Sequence, residues 1–120
     1  MPKRYGGSEL LQGVAFEPAG PLWKRAPTQD RHGRPLSDFM MLIPGLGKRP
    51  AAQLERVLEA IRSVLDRYAD AVVFADLNLH LNVLWVSVRP IPGICLELAT
   101  ALNSAVPESR LVAQRVPGVE

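Results

Sequence analysis

The chain has 120 residues, of which 48% are hydrophobic and 22% charged, so its composition indicates a folded domain and excludes a disordered chain. No apolar run reaches the roughly 20 residues that a membrane helix needs, and the basic N-terminus lacks the apolar stretch of a secretory signal. A single cysteine excludes an internal disulfide, and we expect a cytoplasmic protein with one domain and a formal net charge of +2.

Residues 1–37 are predicted to form an extended arm ahead of the folded domain. They include ten prolines and glycines, which leave no helical periodicity and allow one short strand over residues 10–16. Part of that strand, QGVAF, resembles the phosphate-binding loop of acylphosphatases. Glu17 stands where that family has its arginine, so we expect a strand and no phosphatase chemistry. Residues 1–35 carry six basic and three acidic side chains, which is a hint of a nucleic-acid partner.

The folded part begins with a strand and a helix. Residues 38–43, read DFMMLI, are apolar after the first position, which is typical of a strand buried on both faces. The strand ends at the Pro-Gly pair of residues 44 and 45. Pro50 suits a first helical turn, and apolar residues recur from Leu54 to Tyr68 at the i, i+3, i+4, i+7 spacing of an amphipathic helix.

Residues 71–90, read AVVFADLNLHLNVLWVSVRP, are predicted to form two strands. A single strand of that length would span about 60 Å, which is too long for a domain of this size. Apolar side chains occupy odd positions up to residue 83 and even positions from residue 84, so a turn or bulge separates the strands. Asn78, His80 and Asn82 tolerate turn dihedral angles, which puts a hairpin tip with a solvated polar face within residues 76–82. Asp76 and His80 would lie about 13 Å apart along a strand, so we predict no metal site.

A second helix over residues 93–106 and a final strand over residues 109–116 complete the order strand, helix, strand, strand, helix, strand. This order predicts an α+β fold of the ferredoxin-like βαββαβ type over residues 38–120, with a four-stranded antiparallel sheet and two helices on one face. Strands 39–43 and 84–88 are the most apolar, as expected at the sheet centre. Such strands would leave an apolar patch on the face without helices, so we expect a homodimer through the sheet face or edge, with the arm contributing.

Two Pro-Gly turns that lead into the helices are the candidate binding sites. In PGLGKRP, residues 44–50, the glycines Gly45 and Gly47, the cations Lys48 and Arg49 and the start of the helix could together hold a small anion. RPIPGICLELATALNSA, residues 89–105, resembles the strand–Pro-Gly–helix entry of ACT domains, which are ferredoxin-like regulatory modules that bind amino acids and pair up. The resemblance implies a ligand site at this turn, with Gly93 as the counterpart of the first turn.

These observations favour a non-enzymatic, dimerising regulatory module that binds a small anionic ligand and needs no cofactor. The alternative is a nucleic-acid-binding module that uses the basic arm and the open sheet face, with Phe39 and Trp85 as candidate stacking aromatics. A third hypothesis is a small enzyme that uses Cys95 or His80. We expect Cys95 to be a buried core residue, since the sequence pattern places no histidine base near it.

Overall fold

Seven elements follow one another along residues 27–116, the part of the chain that the structure, a computed structural model, describes. They are β1 (Ser37–Leu42), a 3-10 turn (Leu46–Lys48), α1 (Ala51–Arg67), β2 (Val72–Asn78), β3 (Val83–Val88), α2 (Ile94–Ala105) and β4 (Arg110–Arg115). The hairpin tip between β2 and β3 falls at residues 79–82, inside the predicted window. The strand predicted over residues 10–16 lies outside the described residues.

The four strands form one antiparallel sheet in the order β2-β3-β1-β4. The α+β, ferredoxin-like layout predicted from the order of the elements is therefore confirmed, with β1 and β3 at the sheet centre. The register of β1 against β4 shifts between Met40 and Met41, so that Val112 is left without a partner on β1. Such a bulge increases the local twist of the edge strand β4.

The inner face of the sheet packs against both helices and forms the hydrophobic core. Alternate residues of the central strands point to it, among them Phe39 and Met41 of β1 and Leu84 and Val86 of β3, each at most 1% exposed. Helix α1 adds the apolar stripe that its spacing predicted, Leu58, Ile61, Val64 and Leu65. Each such side chain stabilises the fold by roughly 1.5–3 kcal/mol through its removal from water. Because Phe39 faces the helices, it is unavailable for stacking on nucleic-acid bases.

The outer face of the sheet is the face turned away from both helices. It consists of Asp38, Met40 and Leu42 of β1, Phe74, Asp76 and Asn78 of β2, Val83, Trp85 and Ser87 of β3, and Arg110, Ala113 and Arg115 of β4. Directly paired residues of neighbouring strands share a face, which fixes this assignment. Strand β1 was expected to be buried on both faces, and the structure shows its outer side chains Met40 and Leu42 only half-buried.

A hydrogen bond links the end of α1 to the start of α2. Helix α1 follows Pro50 and ends at Arg67. Its C-cap residue, Tyr68, donates a hydroxyl hydrogen bond of 3.0 Å to Glu97 Oε2 in the first turn of α2. This bond ties the end of one helix to the start of the other, and it raises the pKa of Tyr68 because the protonated phenol is the donor. Within residues 27–116, neither helix is long and apolar enough to cross a membrane.

Candidate functional site

The first Pro-Gly turn is built to pack against the β2–β3 turn. Gly45 adopts a left-handed φ of 70°, which turns the chain sharply after β1. At Gly47, a Cβ atom would lie only 2.2 Å from the carbonyl oxygen of Leu79. The amide of Gly47 donates a hydrogen bond of 2.7 Å to Asn82 Oδ1. Both glycines thus have a structural role, and the Gly47 amide is already occupied by a protein acceptor.

Arg49 connects the start of α1 to the segment that follows α2. Its Nη1 atom lies 2.6 Å from Glu108 Oε2, and its Nη2 atom donates to the carbonyl oxygen of Pro44 at 3.3 Å. The pKa of Glu108 is lowered because its carboxylate accepts a hydrogen bond from its own backbone N–H and a second from the Arg49 side chain. Lys48, the other predicted cation of this turn, is exposed.

A groove of about 280 Å³ lies beside this ion pair, between α1 and the end of α2. Its polar wall consists of Arg49, Gln53, Arg56 and Glu108, and its apolar wall consists of Val57, Ala60, Ala105, Val106 and Pro107. The sequence prediction missed Gln53 and Arg56. Gln53 and Arg56 are three residues apart, so helical spacing alone would have put both on one side of α1; Arg49 precedes the helix.

The first turn of α1 carries no compensation for the positive end of the helix dipole. Pro50 occupies the N-cap position without a side-chain hydrogen bond, and the first turn contains no acidic residue. The amide groups of the first helical turn have no partner within the helix itself. An uncapped N-terminus beside two arginines is an environment that favours negative charge.

Gly93, the predicted counterpart in the second turn, lies at the opposite end of the sheet. Antiparallel pairing sets Leu42 opposite Val83 and Ser37 opposite Val88, so β1 and β3 deliver their following turns at opposite ends. A strand of six residues separates those ends by about 20 Å. The structure therefore does not bring Gly93 together with Gly45. The first turn of α2 also contains Glu97, whose carboxylate already compensates that helix N-terminus.

A second polar cleft, of about 340 Å³, lies where the predicted arm meets the domain. One side of the cleft is a turn over residues 30–34. Asp30 stabilises this turn, since its Oδ1 atom accepts hydrogen bonds from the amides of His32 and Arg34 at 2.8 and 2.9 Å. The backbone hydrogen bond from Arg34 is the main cause of the lowered pKa of Asp30. Three arginines and a histidine, Arg31, His32, Arg34 and Arg89, line this cleft.

The two side chains considered for enzymatic chemistry lie far apart. Cys95 is only 4% exposed and packs near the backbone carbonyl of Asp38, as expected for a core residue. Burial raises the pKa of the Cys95 thiol, and the negative charge of Asp38 adds to this effect. His80 is exposed on the β2–β3 turn, at the other end of the sheet.

The polar face predicted for the hairpin differs from the observed one. Asn78 Oδ1 accepts the amides of His80 and Leu81, which makes the solvated turn that was expected. Asp76 does not belong to this turn: it lies within β2 on the outer face and is 5% exposed, because the strand continues two residues past it. Among residues 27–116, no group of three or more histidine, cysteine or acidic side chains could hold a metal ion.

Comparisons with known proteins give no relative for this chain. No protein-family model matches it, and neither the curated proteins nor the solved structures include a significant match. The resemblance of residues 89–105 to ACT domains is therefore not supported by any family match, and what is shown is the α+β, ferredoxin-like layout itself.

Proposed function

We propose that the chain is a non-enzymatic regulatory module that binds a small anion in the groove beside the N-terminus of α1. The ligand class is a carboxylate or phosphate compound. The single observation that carries the proposal is the combination, in one groove of about 280 Å³, of two arginines and an uncapped helix N-terminus. Of the five residues predicted from the sequence, Arg49 lines this groove and Lys48 lies next to it in sequence.

Glu108 already supplies one negative charge to this groove. Its carboxylate contacts Arg49, while Arg56 lies on the same wall and pairs with no carboxylate among residues 27–116 that would compete with a ligand. A bound anion would sit between Arg56 and the first turn of α1 and would draw Arg49 away from Glu108. Glu108 would thus act as an internal competitor for Arg49 and lower the affinity of the groove for the anion.

The test measures the rise in melting temperature of the full chain with sodium phosphate, sodium citrate or sodium chloride at equal ionic strength. A ligand at ten times its Kd stabilises a protein by about 1.4 kcal/mol and raises the melting temperature of a domain of this size by about 6 °C. We expect such a rise with phosphate or with citrate and none with chloride. The anion that gives the larger shift identifies the ligand class.

Three variants locate the effect. Arg56→Gln should remove most of the shift, and replacing Lys48 and Arg49 together by glutamine should abolish it. Glu108→Gln should enlarge the shift, because it removes the internal competitor from Arg49. Arg67→Gln is the matched control, since it removes the same charge from the last turn of the same helix, away from the groove. Equal shifts in Arg56→Gln and the unmodified chain would overturn the proposal.

Nucleic-acid binding remains the second candidate, on the observation that Arg31, Arg34 and Arg89 meet in one cleft. Its location differs from the one predicted. On the outer face of the sheet, the guanidinium of Arg115 is already paired with Asp38, and Phe39 faces the helices, so the turn at residues 28–35 is the better candidate surface.

The anisotropy of a fluorescent single-stranded oligonucleotide tests this second candidate over a series of salt concentrations. Replacing Arg31 and Arg89 by glutamine should weaken binding and reduce the slope of log K against log salt by about 2. Arg67→Gln again controls for net charge. The same affinity and slope in the double variant and the unmodified chain would exclude this cleft as the site.

A further inference from the structure

The polar wall and the apolar wall of the groove beside α1 follow one another along the helix. On this side of the groove the polar wall consists of Arg49, Gln53 and Arg56, and all three precede Val57 and Ala60 of the apolar wall. At 1.5 Å per residue, about 10 Å of helix separates Gln53 from Ala60. The groove is therefore polar near the start of α1 and apolar one to two turns later.

The facing segment, residues 105–108, has the same order of polar and apolar residues. Glu108 belongs to the polar wall and lies against Arg49, with 2.6 Å between its Oε2 atom and the Nη1 atom of the arginine. Residues 105–107, which precede it, are alanine, valine and proline. The two helices run in opposite directions, since the end of α1 is linked to the start of α2. Residues 105–107 therefore lie further along α1 than Glu108 does, beside the apolar part of the helix.

The charges of the groove match a ligand with a single negative charge. Arg49 and Arg56 are positive and Glu108 is negative, which leaves a net charge of +1 on the lining residues. One carboxylate balances this charge. A polyanion such as citrate brings further negative charges close to Glu108, and like charges at short distance repel each other.

From these observations we infer that the ligand of the groove is a small monocarboxylate with an apolar tail, in the class of the short aliphatic carboxylic acids. Its carboxylate lies at the polar wall, beside Arg56, and its tail lies along Val57, Ala60 and residues 105–107. This inference rests on the anion site proposed above and narrows the ligand class of that site.

The size of the groove limits the length of the tail. Its volume of about 280 Å³ lies just below the range of about 300–1,000 Å³ that is typical of sites for drug-sized ligands, so its ligand is smaller than these. On α1, the apolar wall extends over the turn from Val57 to Ala60, which is about 4.5 Å of helix. A tail of a few carbon atoms covers this distance, and hexanoate is a representative of the class.

The test is a titration of the isotope-enriched full chain, read from the amide signals of Gln53, Val57 and Ala60 in NMR spectra. The ligands are hexanoate, acetate, which has the carboxylate without the tail, and 1-hexanol, which has the tail without the carboxylate. A fully buried methylene strengthens binding by about fourfold, and about twofold is expected in a groove that is open on one side.

Hexanoate has four more carbon atoms than acetate, so its Kd should be lower by about tenfold or more. At the concentration at which hexanoate saturates the groove, 1-hexanol should leave the three amide signals unshifted, because it offers Arg56 no negative charge.

Two variants locate the tail. Ala105→Gln puts a polar side chain into the apolar wall and should raise the Kd of hexanoate to near that of acetate, without changing the Kd of acetate. Ser104→Gln is the matched control, since Ser104 is exposed in the same last turn of α2 and does not line the groove. It should leave both Kd values unchanged.

The outcomes separate this inference from the anion site on which it rests. Equal Kd values for hexanoate and acetate, equal binding of 1-hexanol and hexanoate, or equal effects of Ala105→Gln and Ser104→Gln would each overturn the inference. A phosphate or citrate effect that depends on Arg56 would still support the anion site in that case. If no anion, phosphate and citrate included, acts through Arg56, the anion site and the inference are both wrong.

Discussion

Gly47 is constrained by the close approach of two turns. A methyl group there would lie 2.2 Å from the Leu79 carbonyl oxygen, which is backbone and cannot rotate away. We expect Gly47→Ala to lower the free energy of unfolding by about 2 kcal/mol or more, because the turn must shift and the amide loses Asn82 as its acceptor. Urea unfolding followed by far-UV circular dichroism measures the loss.

Gly45→Asn is the matched control for Gly47→Ala. The φ of 70° at Gly45 is one that asparagine tolerates, and a Cβ atom at Gly45 meets nothing within 4 Å. We expect its cost to stay below about 1 kcal/mol. Equal losses in the two variants would show that the contact with Leu79 does not make glycine necessary at residue 47.

The role of Gly47 could not be predicted from its sequence neighbours. Two glycines before a basic helix start are typical of an anion site, and that pattern was the basis of the prediction. The partners that explain Gly47, Leu79 and Asn82, are more than thirty positions away. They become its neighbours only because β1 ends where β3 begins in the antiparallel sheet.

At the scale of the element, the uncapped start of α1 can be tested by supplying the missing charge. Ala52 is exposed in the first turn, so Ala52→Glu should stabilise the helix by about 0.3–1 kcal/mol through the helix dipole. The same carboxylate should reduce the phosphate-induced rise in melting temperature, because it takes the place of the anion. Both quantities come from thermal unfolding with and without phosphate.

Ala52→Gln separates charge from side-chain size in this experiment. It should change stability by only a few tenths of a kcal/mol and leave the effect of phosphate intact. If Ala52→Glu stabilises α1 but leaves the phosphate effect unchanged, the anion binds elsewhere.

The elements themselves were predictable, and part of the site was as well. The apolar spacing of α1 predicted its buried face, since local periodicity decides which face is buried. The Pro-Gly turns predicted where the two helices begin. The separation of Gly93 from Gly45 also followed from the predicted fold, because antiparallel strands send their next turns to opposite ends. The pairing of Arg49 with Glu108 could not be predicted from the order of the elements, since it depends on how the two helices pack.

At the scale of the whole molecule, stability is expected to be uneven across the sheet. Strand β3 pairs with β2 and β1, whereas β4 is an edge strand with five of its six residues exposed. We expect the amides of β3 to exchange with deuterium most slowly and those of β4 to exchange earliest among the strands, because β4 can open without disturbing the core. Hydrogen exchange read by NMR measures this, and equal protection of the two strands would contradict it.

The overall layout was predictable because several independent signals agreed. The two most apolar strands, the two amphipathic helices and the Pro-Gly turns all favour one topology, and such agreement is what allows a sequence to specify one fold. The state of the outer face could not be predicted in the same way: the continuous apolar run of β1 predicts burial on both faces, whereas its outer side chains Met40 and Leu42 are half-buried.

The pairing of β1 with β4 has a consequence during synthesis. Asp38 and Arg115, which meet in this ladder, are 77 positions apart. A ribosome that adds about 5–20 residues per second needs about 4–15 s to make the intervening chain. During that interval β1 can form hydrogen bonds with β3 only. The backbone N–H and C=O groups on its other side stay unpaired until β4 has been made. Strand β1, which is central in the finished sheet, is therefore an edge strand for most of the time in which the chain is being made.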